Sequence, residues 1–274
     1  MNKTPSNIYN PPLVITDHEY TNNYGKKNIV YVIRDDYLVG GTKQRALVKL
    51  MEQSEYENFV GYGASNGYAM VAGAFAAQLT GKKFDYFIFD IIPPTPAMKK
   101  AMDKVFKDNI TLHRISPHGK MSELESLVNE FAKKNNAYKI EFGMQNDDYL
   151  KLLIQNIKIA WINSDDQKRI NKEPKRLWLV AGSGTILKAL DTIFPNTQFM
   201  VVQVGKKIWP DQLHRISKKS PNSILFISNL TFYQNVPIDD RPPYDSLASY
   251  DAKLWKFVKQ HGQDGDFIWN VAPN

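Results

Sequence analysis

Short apolar runs alternate with longer stretches of helical spacing along most of this 274-residue chain. Asn28 to Arg34 is a β-branched, apolar run of strand length that leads into Gly40-Gly41. A helix is expected from Lys43 to about Ser54, with Ala46, Leu47 and Leu50 on its inner face. Glu57 to Gly63 reads as a second strand, and the alanine-rich stretch from Tyr68 to Leu79 as a helix ended by Gly81. Phe84 to Asp90 is a third strand, followed by a helix from about Thr95 to Phe106 and a strand from Ile110 to Ile115. Strands alternating with helices in this way predict a parallel α/β unit.

The second half continues the alternation. Helical spacing covers Met121 to Lys134 and Asn146 to Trp161, with a short extended piece, Tyr138 to Phe142, between them. Asn163 to Lys175 is polar, contains Pro174, and reads as a loop or linker. Arg176 to Ala181 is a buried strand running through Gly182-Ser183-Gly184-Thr185 into a helix, Ile186 to Ile193. Phe199 to Gly205 is the next strand, Trp209 to Ile216 a helix, and Ile224 to Ile227 a final core strand. A last helix, Ala252 to Gln260, follows a proline- and tyrosine-rich segment, while residues 1–27 read as an irregular arm. The expected fold is a doubly wound α/β architecture.

Composition narrows the chemistry. With 43% hydrophobic and 12% aromatic residues the chain can bury a core, which separates it from disordered sequences. It has no cysteine, so disulfides, thiolate metal sites and a cysteine nucleophile are excluded, and its five histidines show no metal-ligand spacing. The polar N-terminus lacks a signal-peptide core and no apolar run reaches membrane-spanning length; a cytoplasmic protein is expected. The net charge of +7 comes from dispersed lysines, which permits a nucleic acid or an anionic partner without arguing for either.

Three loops at strand-to-helix junctions carry candidate chemistry. In the first, Gly40-Gly41 allows a φ-positive turn, Thr42 is expected to cap the helix, and Lys43 meets the positive end of its dipole. That setting favours a neutral amine able to attack a carbonyl, although a surface lysine opening a helix fits the same residues. In the second, Ser65 or Asn66 caps the following helix, or Asn66 bonds a ligand while Ser65 and the helix amides hold a carboxylate. The third, Gly182-Ser183-Gly184-Thr185, offers amides and hydroxyls to a phosphate, yet matches neither the P-loop nor the Rossmann spacing. Loops after parallel strands gather at one end of the sheet, and a phosphate-bearing carbonyl cofactor would use all three. Pyridoxal phosphate is such a cofactor.

The same segments carry a family resemblance. Arg34-Asp35-Asp36, Gly40-Gly41-Thr42-Lys43-Gln44-Arg45, Ser65-Asn66-Gly67 and Val180-Ala181-Gly182-Ser183-Gly184-Thr185 follow one another as in fold type II, tryptophan synthase β-like pyridoxal phosphate enzymes. The nearest branch is that of 1-aminocyclopropane-1-carboxylate deaminase and D-cysteine desulfhydrase, and the resemblance spans roughly residues 28–205. It implies a two-lobed parallel-sheet fold, with residues 1–50 and 120–274 in a large cofactor-binding lobe and 51–119 in a smaller one. It implies Lys43 as Schiff-base lysine and base, Asn66 on the cofactor's ring oxygen, Ser65 on the substrate carboxylate, and Gly182, Ser183, Gly184 and Thr185 on the phosphate. An amino-acid-like substrate and a homodimer follow by analogy, with deamination, elimination, β-replacement or racemisation as outcomes. Thr42 replaces the family's asparagine, and Gly67 a residue with a functional side chain. The partner of the pyridine nitrogen is not matched; Ser228, Ser246, Ser249 and Asp251 are candidates, and Tyr244 and Tyr250 either line the site or pack. The rival readings are a phosphoribosyl- or nucleotide-handling α/β enzyme and a non-catalytic relative of the fold.

Overall fold

The computed structural model describes residues 6–89, 94–116, 120–204 and 223–273. Its elements, in order, are α1 (Ser6–Tyr9), β1 (Ile15–Thr21), β2 (Lys27–Arg34), α2 (Gln44–Gln53), β3 (Asn58–Gly63), α3 (Tyr68–Thr80), β4 (Lys83–Phe89), α4 (Pro96–Val105), β5 (Ile110–Ile115) and α5 (Met121–Lys134). There follow β6 (Ala137–Lys139), α6 (Asp147–Ile162), α7 (Asp165–Ile170), β7 (Arg176–Ala181), α8 (Thr185–Ile193), β8 (Gln198–Gln203), β9 (Ile224–Ile227), α9 (Trp255–His261) and β10 (Asp266–Asn270). The expected helix from Trp209 to Ile216 lies outside the described residues, as do Asp90 and Gly205.

The chain forms two compact units. One comprises residues 1–11 and 38–157, the other 12–37 and 158–274. These boundaries differ from the division at residues 50 and 120 drawn from the sequence. The difference arises because β6, beyond residue 120, pairs in parallel with β3, and because the Lys43 turn and α2 pack on α3.

The first unit is built on a four-stranded parallel sheet, in the order β5-β4-β3-β6. Its central strands, β3 and β4, are apolar on both sides over most of their length, as a sheet covered by helices requires. Val60, Tyr62, Phe87 and Phe89 meet Leu124 and Val128 of α5 on one face. On the other, Phe84 lies against Gly73, so close that a methyl group there would overlap its ring. The small residues of α3 let the helix approach the sheet.

The second unit holds a six-stranded sheet, β1-β2-β10-β7-β8-β9, in which β1 is antiparallel to β2 and the other pairs are parallel. Three sequence expectations fail here. The irregular arm contains β1, an edge strand in which only Ile15 and Tyr20 are buried and the exposed Asp17 and Glu19 alternate with the half-buried Thr16 and His18. The strand Ile224–Ile227 is neither final nor core: β9 is the sheet's edge, with Ile227 62% exposed. The final strand is β10, wholly buried between β2 and β7. The linker from Asn163 contains α7, capped by Ser164, whose Oγ accepts from Gln167 N and donates to Leu13 O. Among the described residues no helix is long and apolar enough to cross a membrane.

Candidate active site

Lys43 sits at the end of a 3-10 turn, Gly41–Lys43, that runs directly into α2. Gly41 has φ +62°, and its amide donates to Leu38 O (2.9 Å). Gly40 has an ordinary φ but no room: a Cβ there would stand 2.7 Å from Ala72 Cα of α3. The expectation that Thr42 caps the helix is overturned. Thr42 is buried inside the 3-10 turn, and the residue before α2 is Lys43, with no side-chain cap. Gln44 does the fastening instead, its Oε1 accepting from Gly40 N (2.8 Å) and its Nε2 donating to Tyr9 O (3.1 Å). Arg45, 1% exposed, donates from Nη1 to Asn10 Oδ1 (2.7 Å) and Pro11 O (2.8 Å). Neighbours on both sides are thus tied into the unit, while Lys43 itself stays half-buried at the positive end of a ten-residue helix.

Ser65 and Asn66 lie in the loop after β3, both buried. Neither caps α3: the cap residue is Gly67, without a side-chain bond. Asn66 Oδ1 instead accepts from Thr95 N (2.9 Å), the cap of α4. Its Nδ2 is buried and has no hydrogen-bond partner among the described residues. A buried amide donor left unpaired costs about 1–3 kcal/mol, so its retention suits a ligand acceptor. Because the Lys43 turn packs on α3, Lys43, Ser65 and Asn66 belong to one unit.

The glycine loop belongs to the other. Gly184, at φ +81°, is the cap residue of α8, so the loop turns directly into the positive end of that helix. Ser183 Oγ and Thr185 Oγ1 stand 3.2 Å apart. Tyr250, which the sequence allows either to line the site or to pack, lies at this loop. Its Oη accepts from the Gly182 backbone, and burial, with the charge of Asp251, raises its pKa. Tyr244 packs in the core against Trp255 and His18.

The remaining candidates are spoken for to different degrees. Ser246 Oγ donates to Asn270 Oδ1 (3.0 Å), Asp251 Oδ2 accepts from Ala272 N (3.1 Å), and Ser228 Oγ accepts from Leu230 N (3.2 Å). Ser249 is buried. The Arg34-Asp35-Asp36 segment is architectural: Arg34 grips Asp36 through two bonds (2.6 and 2.9 Å) and stacks over Tyr37 (4.3 Å).

One buried amine was not legible from sequence. Lys253, 3% exposed, donates to Thr231 O (2.6 Å), and burial lowers its pKa to about 8. The folded chain therefore binds this proton less tightly than the unfolded one, in which lysine titrates near 10.5. Stability should rise by up to about 3 kcal/mol as pH climbs from about 8 to about 10.5. Urea unfolding of wild type and Lys253→Met checks this: the difference between them should move in favour of wild type across that window. A difference independent of pH would contradict it.

No protein-family model matches the chain, and no curated protein does either. Solved structures do. O-ureido-L-serine synthase superposes with a TM-score of 0.65 at 14% identity, covering 100% of this chain and 92% of that one. A homologue of ACC deaminase gives 0.66 at 13% identity, with 89% and 84% covered. Diaminopropionate ammonia lyase from Escherichia coli, in complex with an aminoacrylate-PLP azomethine reaction intermediate, gives 0.63 at 12% identity, with 97% and 84% covered. The chain has the fold of these enzymes, the tryptophan synthase β-like arrangement expected from the motifs.

Proposed function

We propose that this chain is a pyridoxal phosphate-dependent enzyme acting on an amino acid or a closely related amine. The observation that carries the reading is the buried, unpaired Asn66 Nδ2, on the loop that opens the helix against which the Lys43 turn packs. In this reading Lys43 would hold the cofactor covalently at its carbonyl carbon, the carbonyl oxygen leaving as water. Asn66 Nδ2 donates to the cofactor's ring oxygen, and the Gly182–Thr185 amides and hydroxyls hold its phosphate. Ser65 and the first amides of α3 hold the substrate carboxylate. When bound, the cofactor supplies an electron sink for bonds at the substrate's α-carbon. The Lys43 amine would serve as the base that takes the substrate's α-proton.

The nucleotide-handling alternative leaves Lys43 and Asn66 without a task. A cytoplasmic homodimer is part of the same proposal, with gel-filtration mass as the check on its oligomeric half. Titration with pyridoxal phosphate should develop a visible absorbance band in wild type and not in Lys43→Ala, and a panel of amino acids should then reveal turnover. A protein that takes up no cofactor contradicts the proposal.

Asn66→Asp gives a finer check. It keeps an acceptor for Thr95 N and removes the donor at Nδ2, so cofactor affinity should fall about tenfold while the fold persists. Unchanged affinity would take Asn66 out of the site.

A further inference from the structure

The loop after β6 is fastened more firmly than a surface connection needs. Gly143 and Met144 both lie in the left-handed region, at φ +68° and +60°. A methionine held there is strained, because its Cβ crowds the backbone. Met144 is nevertheless buried, and its amide donates to Glu141 O (2.7 Å). Asn146 clamps the loop from the far side, its Oδ1 accepting from Glu141 N (2.9 Å) and its Nδ2 donating to Lys139 O (3.0 Å). The side chain that this construction displays is Phe142, 46% exposed. One exposed apolar side chain is ordinary on a protein surface. The place of this one is not.

β6 runs beside β3 to the pair Val60 and Lys139, and Ile140 N donates on to Val60 O (2.8 Å), so the chain brings Phe142 to the carboxyl end of β3. The Phe142 ring stands 6.0 Å from that of Tyr62, which packs on the α5 face of the sheet. Its Cε2 would also lie 3.9 Å from a methyl group placed on Gly63, where the nearest atom is the Tyr86 hydroxyl of the opposite face. The ring therefore lies across the end of β3, and Ser65 and Asn66 follow Gly63 in the loop that starts there. The charged groups nearby answer one another: Lys139 Nζ meets Glu141 (2.9 Å) and Glu125 (3.3 Å), and the Tyr62 hydroxyl bonds Glu125. Two carboxylates against one ammonium leave a negative excess, which disfavours an acidic side chain on a ligand.

We propose that Phe142 is a specificity-determining residue of the candidate site, packing on the side chain of the amino-acid substrate and selecting substrates whose side chain is apolar. The inference rests on the cofactor reading and deepens it by naming the substrate class. A ring held in place by its loop offers contact area without losing much freedom on binding.

The test compares wild type with Phe142→Ala, each as the full chain loaded with pyridoxal phosphate, using leucine and alanine as probes. Binding is read from the change that each amino acid makes in the visible absorbance band. Wild type should bind leucine more tightly than alanine. In the variant leucine should weaken about tenfold and alanine little, while cofactor affinity and Tm stay close to wild type because the ring is exposed. Phe142→Leu should restore part of the preference for leucine. Equal losses for both amino acids, no loss for leucine, or a wild-type preference for lysine or glutamate over leucine overturns this assignment and leaves the cofactor reading standing. A wild type that takes up no pyridoxal phosphate overturns the cofactor reading and this assignment with it.

Discussion

On the proposed reading, Lys43→Ala should lower turnover by about 10²–10⁴-fold or more, because it would remove both the covalent anchor and the base at the α-carbon. The fold should survive. Gly40, Gln44 and Arg45 carry the bonds that pin the turn, and Lys43 itself is half-buried. Circular dichroism and melting should therefore match wild type within a few degrees while amino-acid consumption disappears. Partial rescue by an added small primary amine would separate the loss of the base from a damaged site. Activity kept by the alanine variant would remove Lys43 from the chemistry.

Gly40→Ala is expected to do nearly as much without touching a functional side chain. The new methyl would lie 2.7 Å from Ala72 Cα, 3.0 Å from Ala72 Cβ and 3.1 Å from Gln44 Cβ. Backbone cannot swing aside, so either α3 or the turn must shift, at a cost of about 1–3 kcal/mol. A shift of about 1 Å in a catalytic group can cost about 10²-fold in rate. The variant should thus combine a lower Tm with a fall in turnover of that order. Wild-type melting and turnover would contradict a turn held this tightly against α3.

Much of this was readable before the structure. Val60, Tyr62, Phe87 and Phe89 announce strands because each strand is apolar over most of its length, and the glycine, alanine and hydroxyl residues between elements mark the three loops. What escaped was set by position in the sheet. β10 has only Phe267, Ile268 and Trp269 between two polar ends, too short a run to stand out; burial between two strands makes it central, with Asp266 and Asn270 satisfied by Trp178 and Ser246. β1 escaped for a different reason: Asp17 and Glu19 are exposed on one face, and the face that carries Tyr20 is itself polar at Thr16 and His18. Capping was misjudged at both loops. Thr42 and Ser65 have the right chemistry for caps, but the residues before α2 and α3 are Lys43 and Gly67. At Asn66 the error is informative, because a side chain engaged with Thr95 keeps its amide nitrogen available for a ligand.

Lys43 is the lysine proposed to bind the cofactor, and incubation with pyridoxal phosphate, borohydride reduction and peptide mass mapping would show whether it does. One phosphopyridoxyl group, on Lys43, is expected; no modification there, or labelling scattered over surface lysines, would remove Lys43 from that role.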